Sequence, residues 1–323
     1  MLLVLLEYMP IVNEESSKPE KLDKKDLAII DILKNNSRET CQKIAKKVSL
    51  SNDAVGYRIK RLENLGVISG YKLKLHYPFT NHQEFILFFG LLEDNTKKID
   101  ALDSHLKKID HVKEIMHYSD KWDTKVQLIA ENIGELDELA SDISDKYSNI
   151  IIDYEILTIV KDLIHKETKK CAEVEKTKLD EKDEKIIKIL EKNSRESIVS
   201  IAKKLNMNAD TVMYHLNKIT QSGIIKKFSA IPNLNKLGLH LYTAMIIMKD
   251  FGDKEEKKLR EFCETNSNNI LSAHKTVGHW NVIMDISAKD QKEFQSVMQK
   301  LKMTLENSLK DYDVIMAYKE IDK

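Results

Sequence analysis

Apolar residues recur at helical spacing in two stretches that read alike. Leu27, Ile30 and Leu33 form one run, and Ile186, Ile187 and Leu190 another. Each is preceded by an aspartate, Asp23 or Asp180, suited to capping a helix N-terminus. A second helix is expected from about Thr40 to Val48 and from about Ser197 to Leu205, where Ala45 and Ala202 are small enough to let another helix cross closely. After a short break Ser51 and Asn208 stand as caps of a third helix, which runs to about Leu65 and Ser222 and is stopped by Gly66 and Gly223. Helix, short turn, helix is the arrangement whose second member enters a DNA major groove. The segments GVISGYKLKL and GIIKKFSAI then predict a short β-ribbon, or wing, in each copy.

The pattern after each wing changes to strand, helix, strand, strand, helix, strand. In the first half these fall at Phe85 to Leu92, Thr96 to Lys108, Val112 to Tyr118, Thr124 to Ala130, Ile133 to Tyr147 and Ile150 to Ile159. In the second half they fall at Leu239 to Met248, Asp253 to Thr265, Ile270 to Thr276, Trp280 to Ser287, Lys289 to Leu309 and Asp313 to Tyr318. The fold class expected is α+β: two winged helix-turn-helix domains alternating with two ferredoxin-like (β-α-β-β-α-β) sandwich domains. Each half-covered sheet keeps an apolar face to bury, and pairing the two sheets buries both.

The likeness of the halves is a duplication. A shift of about 157 residues pairs the 47-residue stretch beginning at Leu22 with the one beginning at Leu179, about 45% identical without a gap. The expected divisions are an N-terminal extension at 1–20, a DNA-binding domain at 21–76, a sandwich at 77–165, a linker at 166–178, a second DNA-binding domain at 179–232 and a second sandwich at 233–323. The apolar opening Leu2 to Leu6 is only five residues long and meets Glu7, so neither a signal peptide nor a membrane span is expected, and no membrane partner. Cys41, Cys171 and Cys263 are scattered, with no CxxC pair; this points to a reducing, cytoplasmic compartment.

Charge enters locally. The whole chain carries 52 basic and 52 acidic residues, but Arg38 to Lys74 has nine basic against three acidic, and Arg195 to Ile231 six against two. A basic segment in a neutral chain is the footprint expected of a DNA contact, and double-stranded DNA is the expected partner. On the third helix of the first copy Val55, Ile59 and Leu62 suit a core, leaving Ser51, Asn52, Tyr57, Arg58, Lys60 and Arg61 for DNA, with Lys72 and Lys74 on the wing. The second copy offers Val212, Leu216 and Ile219 inside, and Asn208, Thr211, Tyr214, His215, Asn217 and Lys218 outside, with Lys226 and Lys227 on its wing.

These motifs (LDxxDxxII, the SRE-to-IAKK second helix, the glycine followed by Val/Ile-Ile, PNLNKLGL, and the hairpin AHKTVGHWNVIMDI) resemble the Lrp/AsnC family, the feast/famine regulators of bacteria and archaea. The resemblance covers nearly everything after Leu22. It implies a transcription regulator that associates through its sandwich domains, and the double length is similar to a family dimer fused into one polypeptide. In the family the hairpin reads glycine, two residues, aspartate, and lies where amino-acid effectors bind. Here Asp120, Trp122 and Asp123 stand at that place in the first copy, and Gly278, Trp280 and Asn281 in the second, so each copy matches one of the two family residues.

An alternative is a siroheme decarboxylase-like tetrapyrrole enzyme with a relic helix-turn-helix, in which His117 and His274, equivalent in the two halves, would serve as acids. A third reading is an assembly protein that touches DNA only with partners. No phosphate loop, GxSxG or HExxH is present, so neither a catalytic site nor a cofactor is expected. His105, His111 and His117 are evenly spaced, but a strand boundary between them argues against a shared metal.

Overall fold

A computed structural model of the chain describes residues 19–77, 81–92, 96–164 and 179–321. The expected linker at 166–178 and nearly all of the expected extension at 1–20 lie outside the described residues. In chain order the first half contains α1 (Lys24–Asn35), α2 (Cys41–Val48), α3 (Asn52–Asn64), β1 (Ile68–Leu75), β2 (Gln83–Leu91), α4 (Thr96–Leu106), β3 (Val112–Tyr118), β4 (Thr124–Ala130), α5 (Ile133–Lys146) and β5 (Ile151–Asp162). The second half contains α6 (Glu181–Lys192), α7 (Ile198–Leu205), α8 (Ala209–Gln221), β6 (Ile225–Pro232), β7 (His240–Met248), α9 (Asp253–Thr265), β8 (Ile270–Val277), β9 (Val282–Ala288), α10 (Gln291–Leu305) and β10 (Leu309–Glu320). These elements form two compact units, one holding the helical domains of both repeats and the other both sandwiches.

In the helical unit the local signals act as expected. Asp23 and Asp180 each cap their helix through a reciprocal capping box with Asp26 and Asp183. Ser51 accepts from the Ala54 amide, and Gly66 and Gly223 end the third helices at φ +68° and +81°. Between second and third helices the left-handed turn falls on Ser49 and Asn206, again equivalent. Ile29, Leu33, Ile44, Val55, Ile59 and Leu62 make the first core.

The wings depart from expectation. β1 does not fold back on its own repeat; it pairs antiparallel with β6, so the two helical domains share one two-stranded sheet. Tyr71 pairs Ala230, Leu73 pairs Phe228, and Lys72 pairs Ser229, its own equivalent 157 positions on. That register is two-fold about the Lys72–Ser229 pair. Other contacts obey the same symmetry: the Ser37 and Ser194 hydroxyls meet at 2.8 Å, buried. Arg38 donates to the Ser194 and Glu196 carbonyls at 2.9 and 2.8 Å, and Arg195 donates to the Ser37 carbonyl. Arg38 lies over the Phe228 ring and Arg195 over that of Tyr71, the equivalent residue. Each repeat has one strand to offer, and the free edge of the other is the partner that satisfies it.

The sandwich unit is a closed barrel of eight strands in the order β10-β3-β4-β2-β5-β8-β9-β7. Within each repeat the strand order is that of a ferredoxin-like sheet. Closure comes from exchange: β5 pairs β2 up to Thr158 and then β8, while β10 pairs β7 up to Ala317 and then β3. This is why both last strands reach 12 residues, longer than their local patterns suggest. Alternation along the strands sends Phe85, Leu87 and Phe89 to the helices and Ile86 and Phe88 to the barrel interior, where both repeats meet. The interior also holds charge. The Lys125 ammonium lies 3.1 Å from Asp285 and 3.2 Å from Glu114, and Thr243 and Ser272 both donate to Asp285 at 2.6 Å. Burial alone would lower the Lys125 pKa, yet Asp285 and Glu114 outweigh it and hold the ammonium charged.

Candidate nucleic-acid interface

The residues expected to face DNA separate into two sets. Tyr57 and Tyr214 are 70% and 66% exposed, and Ser51, Asn52, Lys60, Asn208 and Asn217 are exposed beside them, with Thr211 partly so. Arg58, Arg61, His215 and Lys218 are instead turned back onto the first helix of their own repeat. Arg58 reaches Asp26 at 2.6 Å and Asp23 at 2.8 Å, and Arg61 reaches Asp26 at 3.1 Å. In the second copy His215 is 2.7 Å from Asp183, and Lys218 is 2.5 Å from Asp183 and 3.2 Å from Asp180. His215, expected outside, is buried at 7% exposure, which corrects its assignment. The reason lies in the capping box: its second carboxylate, Asp26 or Asp183, is almost wholly buried and demands cations. The first repeat supplies Arg58 and Arg61 and the second places His215 and Lys218 at the equivalent positions. The signal was legible as a basic pair three residues apart in each copy facing an aspartate in each cap.

Hydrogen bonding and ion pairing also shift the exposed members of these clusters. Hydrogen bonding from the Asp183 backbone, outweighing partial burial and joined by Lys218, draws Asp180 down to about 2. Asp180, Asp183 and His215 lie close enough to hold a metal ion, but the Lys218 ammonium already occupies that ground.

On the shared sheet lysines crowd together. Lys74 pairs directly with Lys227, and Lys34, at the end of α1, faces the same ammonium. Burial first, then Lys74 and Lys34, push the Lys227 pKa down to about 8, and its ammonium donates to the Asn35 side-chain oxygen at 3.3 Å. Lys72 and Lys226 are partly exposed and Lys74 exposed on these strands. Like charges placed opposite one another destabilise a sheet, and an anion set among them would relieve it.

Several of the hairpin residues expected to hold an effector also have places in the frame. Asp123 accepts from the Leu91 amide at 2.6 Å and Asn281 from the Met248 amide at 2.7 Å, so the acid and its replacement perform one equivalent bond. Gly278 has φ +145°, and a side chain there would strike Leu157 and the Ile156 carbonyl. Asp120 is exposed and accepts from the Lys121 amide. Trp122 and Trp280 are both 4% exposed, and both indole N–H groups are buried without a hydrogen-bond partner among the described residues. His117 is 2% exposed with Nδ1 3.0 Å from Thr124 and Nε2 3.0 Å from Asp103, so neither nitrogen is open to a substrate. His105 and His111 pair with other carboxylates, Asp142 and Glu135.

The winged helix-turn-helix DNA-binding family matches the chain twice, at residues 22–69 and 179–226. An uncharacterized HTH-type transcriptional regulator of Pyrococcus horikoshii is 31% identical over 123 residues, 37% of this chain and 80% of that protein. The chain belongs to the HTH-type transcriptional regulators. The HTH-type transcriptional regulator FL11 of Pyrococcus abyssi is 29% identical over 125 residues, again 37% of this chain and 78% of the relative. Such relatives are about one repeat long. Over nearly the whole length, the siroheme decarboxylase NirDL has a similar fold, with a TM-score of 0.61, 15% identity, and coverage of 93% of this chain and 92% of that one. No helix among the described residues is long and apolar enough to cross a membrane.

Proposed function

We propose that this chain is a cytoplasmic, sequence-specific DNA-binding regulator whose two helix-turn-helix domains contact successive half-sites of one duplex. The observation that carries this reading is the two-fold sharing of β1 and β6: it sets two third helices on equivalent scaffolds, each with its exposed tyrosine and polar neighbours free of the ion pairs that hold its flank. Two-fold recognition of adjacent half-sites is the geometry such domains use on DNA. In this reading Ser51, Asn52, Tyr57 and Lys60 of α3, and Asn208, Thr211, Tyr214 and Asn217 of α8, touch DNA. Lys72, Lys74, Lys226 and Lys227 meet phosphates. Arg58, Arg61, His215 and Lys218 are positioning residues, holding the helix rather than the duplex.

The sandwiches assemble the regulator by pairing within the chain, and further association between chains would use outer surfaces. A small effector with a hydrogen-bond acceptor would suit the unpartnered Trp122 and Trp280 indoles. A gel-shift titration against the promoter of the protein's own gene tests the reading: salt-sensitive binding is expected, and its absence on every genomic fragment would refute it. Siroheme added in parallel should leave the visible spectrum unchanged; a bound-tetrapyrrole spectrum would instead favour an enzyme resembling the decarboxylase.

A further inference from the structure

We propose that the two third helices read different bases, so that the operator is a broken palindrome: guanine under Lys60 in one half-site, and adenine under Asn217 beside a thymine under Met213 in the other. This rests on the DNA-binding reading above and assigns its specificity.

The scaffold is symmetric where the reading surface is not. Asp53 and Asp210 are identical and equivalent, as are Tyr57 and Tyr214, and both tyrosines are similarly exposed. Around them the outward positions diverge. Lys60 is replaced by Asn217, Gly56 by Met213 and Asn52 by Ala209. Lys60 and Asn217 are both exposed, and neither makes a side-chain hydrogen bond or ion pair among the described residues. Met213 is 45% exposed, and beside Gly56 the space is open. A shared two-fold frame would otherwise present the same chemistry to both half-sites.

The chemistry of each replacement points to a base. A lysine ammonium only donates, and guanine O6 and N7 offer it two adjacent acceptors in the major groove. An asparagine amide donates and accepts, which matches adenine N7 and N6. Met213 and Asn217 are four residues apart and so neighbours on one helix face. The Met213 side chain suits the C5-methyl of thymine, a contact Gly56 has no side chain to make.

The test is selection of bound duplexes from a randomised library by the full chain, the variants Lys60→Asn, Asn217→Lys and Met213→Gly, followed by sequencing. All three sites are on the helix exterior, and matching thermal midpoints would establish that the variants fold. The wild-type motif should carry guanine in one half-site and adenine in the other. Lys60→Asn should turn that guanine to adenine and Asn217→Lys the adenine to guanine, each shifting preference about tenfold or more. Met213→Gly should lose the thymine alone. A motif symmetric at these positions, or unmoved by both charge-changing variants, overturns the assignment while leaving DNA binding intact. Failure of the wild type to bind any duplex would overturn the DNA-binding reading and this one with it.

Discussion

Raising the pH from 7 to 9 should weaken DNA binding about tenfold through one side chain, Lys227. Its ammonium is half-buried between Lys34 and Lys74, and those surroundings bring its pKa to about 8. A phosphate seated there would favour the charged form and raise that pKa, so binding above pH 8 must take up a proton. With a pKa of about 8, the free protein keeps the charge on about nine-tenths of molecules at pH 7 and on about one-tenth at pH 9. The ratio is the expected loss of affinity. An ordinary lysine, titrating near 10.4, would give a change too small to measure over the same range. Fluorescence anisotropy with a labelled operator, at fixed ionic strength, reads it directly. Lys227→Met should flatten the profile and reduce the slope of log affinity against log salt by about 0.9, one phosphate contact. An unchanged profile in that variant, or a flat one in the wild type, would refute the placement of Lys227 against the backbone.

Three further outcomes concern stability. Lys125→Met should cost about 3–5 kcal/mol in urea unfolding, because it strands Asp285 inside the barrel, and the double variant Lys125→Met with Asp285→Leu should recover much of it. Gly278→Ala should lower stability by about 1–3 kcal/mol, since the backbone sits at positive φ and the added carbon meets Leu157; an unchanged unfolding midpoint would contradict the packing. Asp26→Ala should cost about 2 kcal/mol, read as a shift of the helical unit's thermal midpoint, by removing half the capping box and the shared partner of Arg58 and Arg61.

The duplication, the helices and most of their caps were legible because each is encoded locally: Asp23, Ser51 and Gly66, and Asp180 and Gly223 in the second repeat, act within a few residues of where they stand. The fate of β1 and β6 was not, because a strand's pattern states which face is apolar and leaves its neighbour unspecified. The same limit applies to β5 and β10, whose last residues, such as Asp162 and Lys319, pair with the histidine strand of the other repeat. On the third helices the division into inside and outside misplaced His215, which is buried. Arg58 and His215 lie on the flank of the helix, one turn from Val55 and Leu62 or their counterparts, where a buried carboxylate on another helix decides their direction. Tyr57, Lys60, Tyr214 and Asn217 face away from all such partners, and for them the helical phase was sufficient.

Two sheet edges that complete one another inside a single polypeptide have a kinetic and gene-dosage consequence. Separate protomers must find each other before they grip an operator, so occupancy rises with a higher power of their concentration. Here the mate is tethered and its local concentration is fixed by the chain, so occupancy should climb with the first power of protein and persist at dilutions where a two-component regulator would fall apart. The tether also lets each half drift on its own, since a change in one reading helix is never copied into the other.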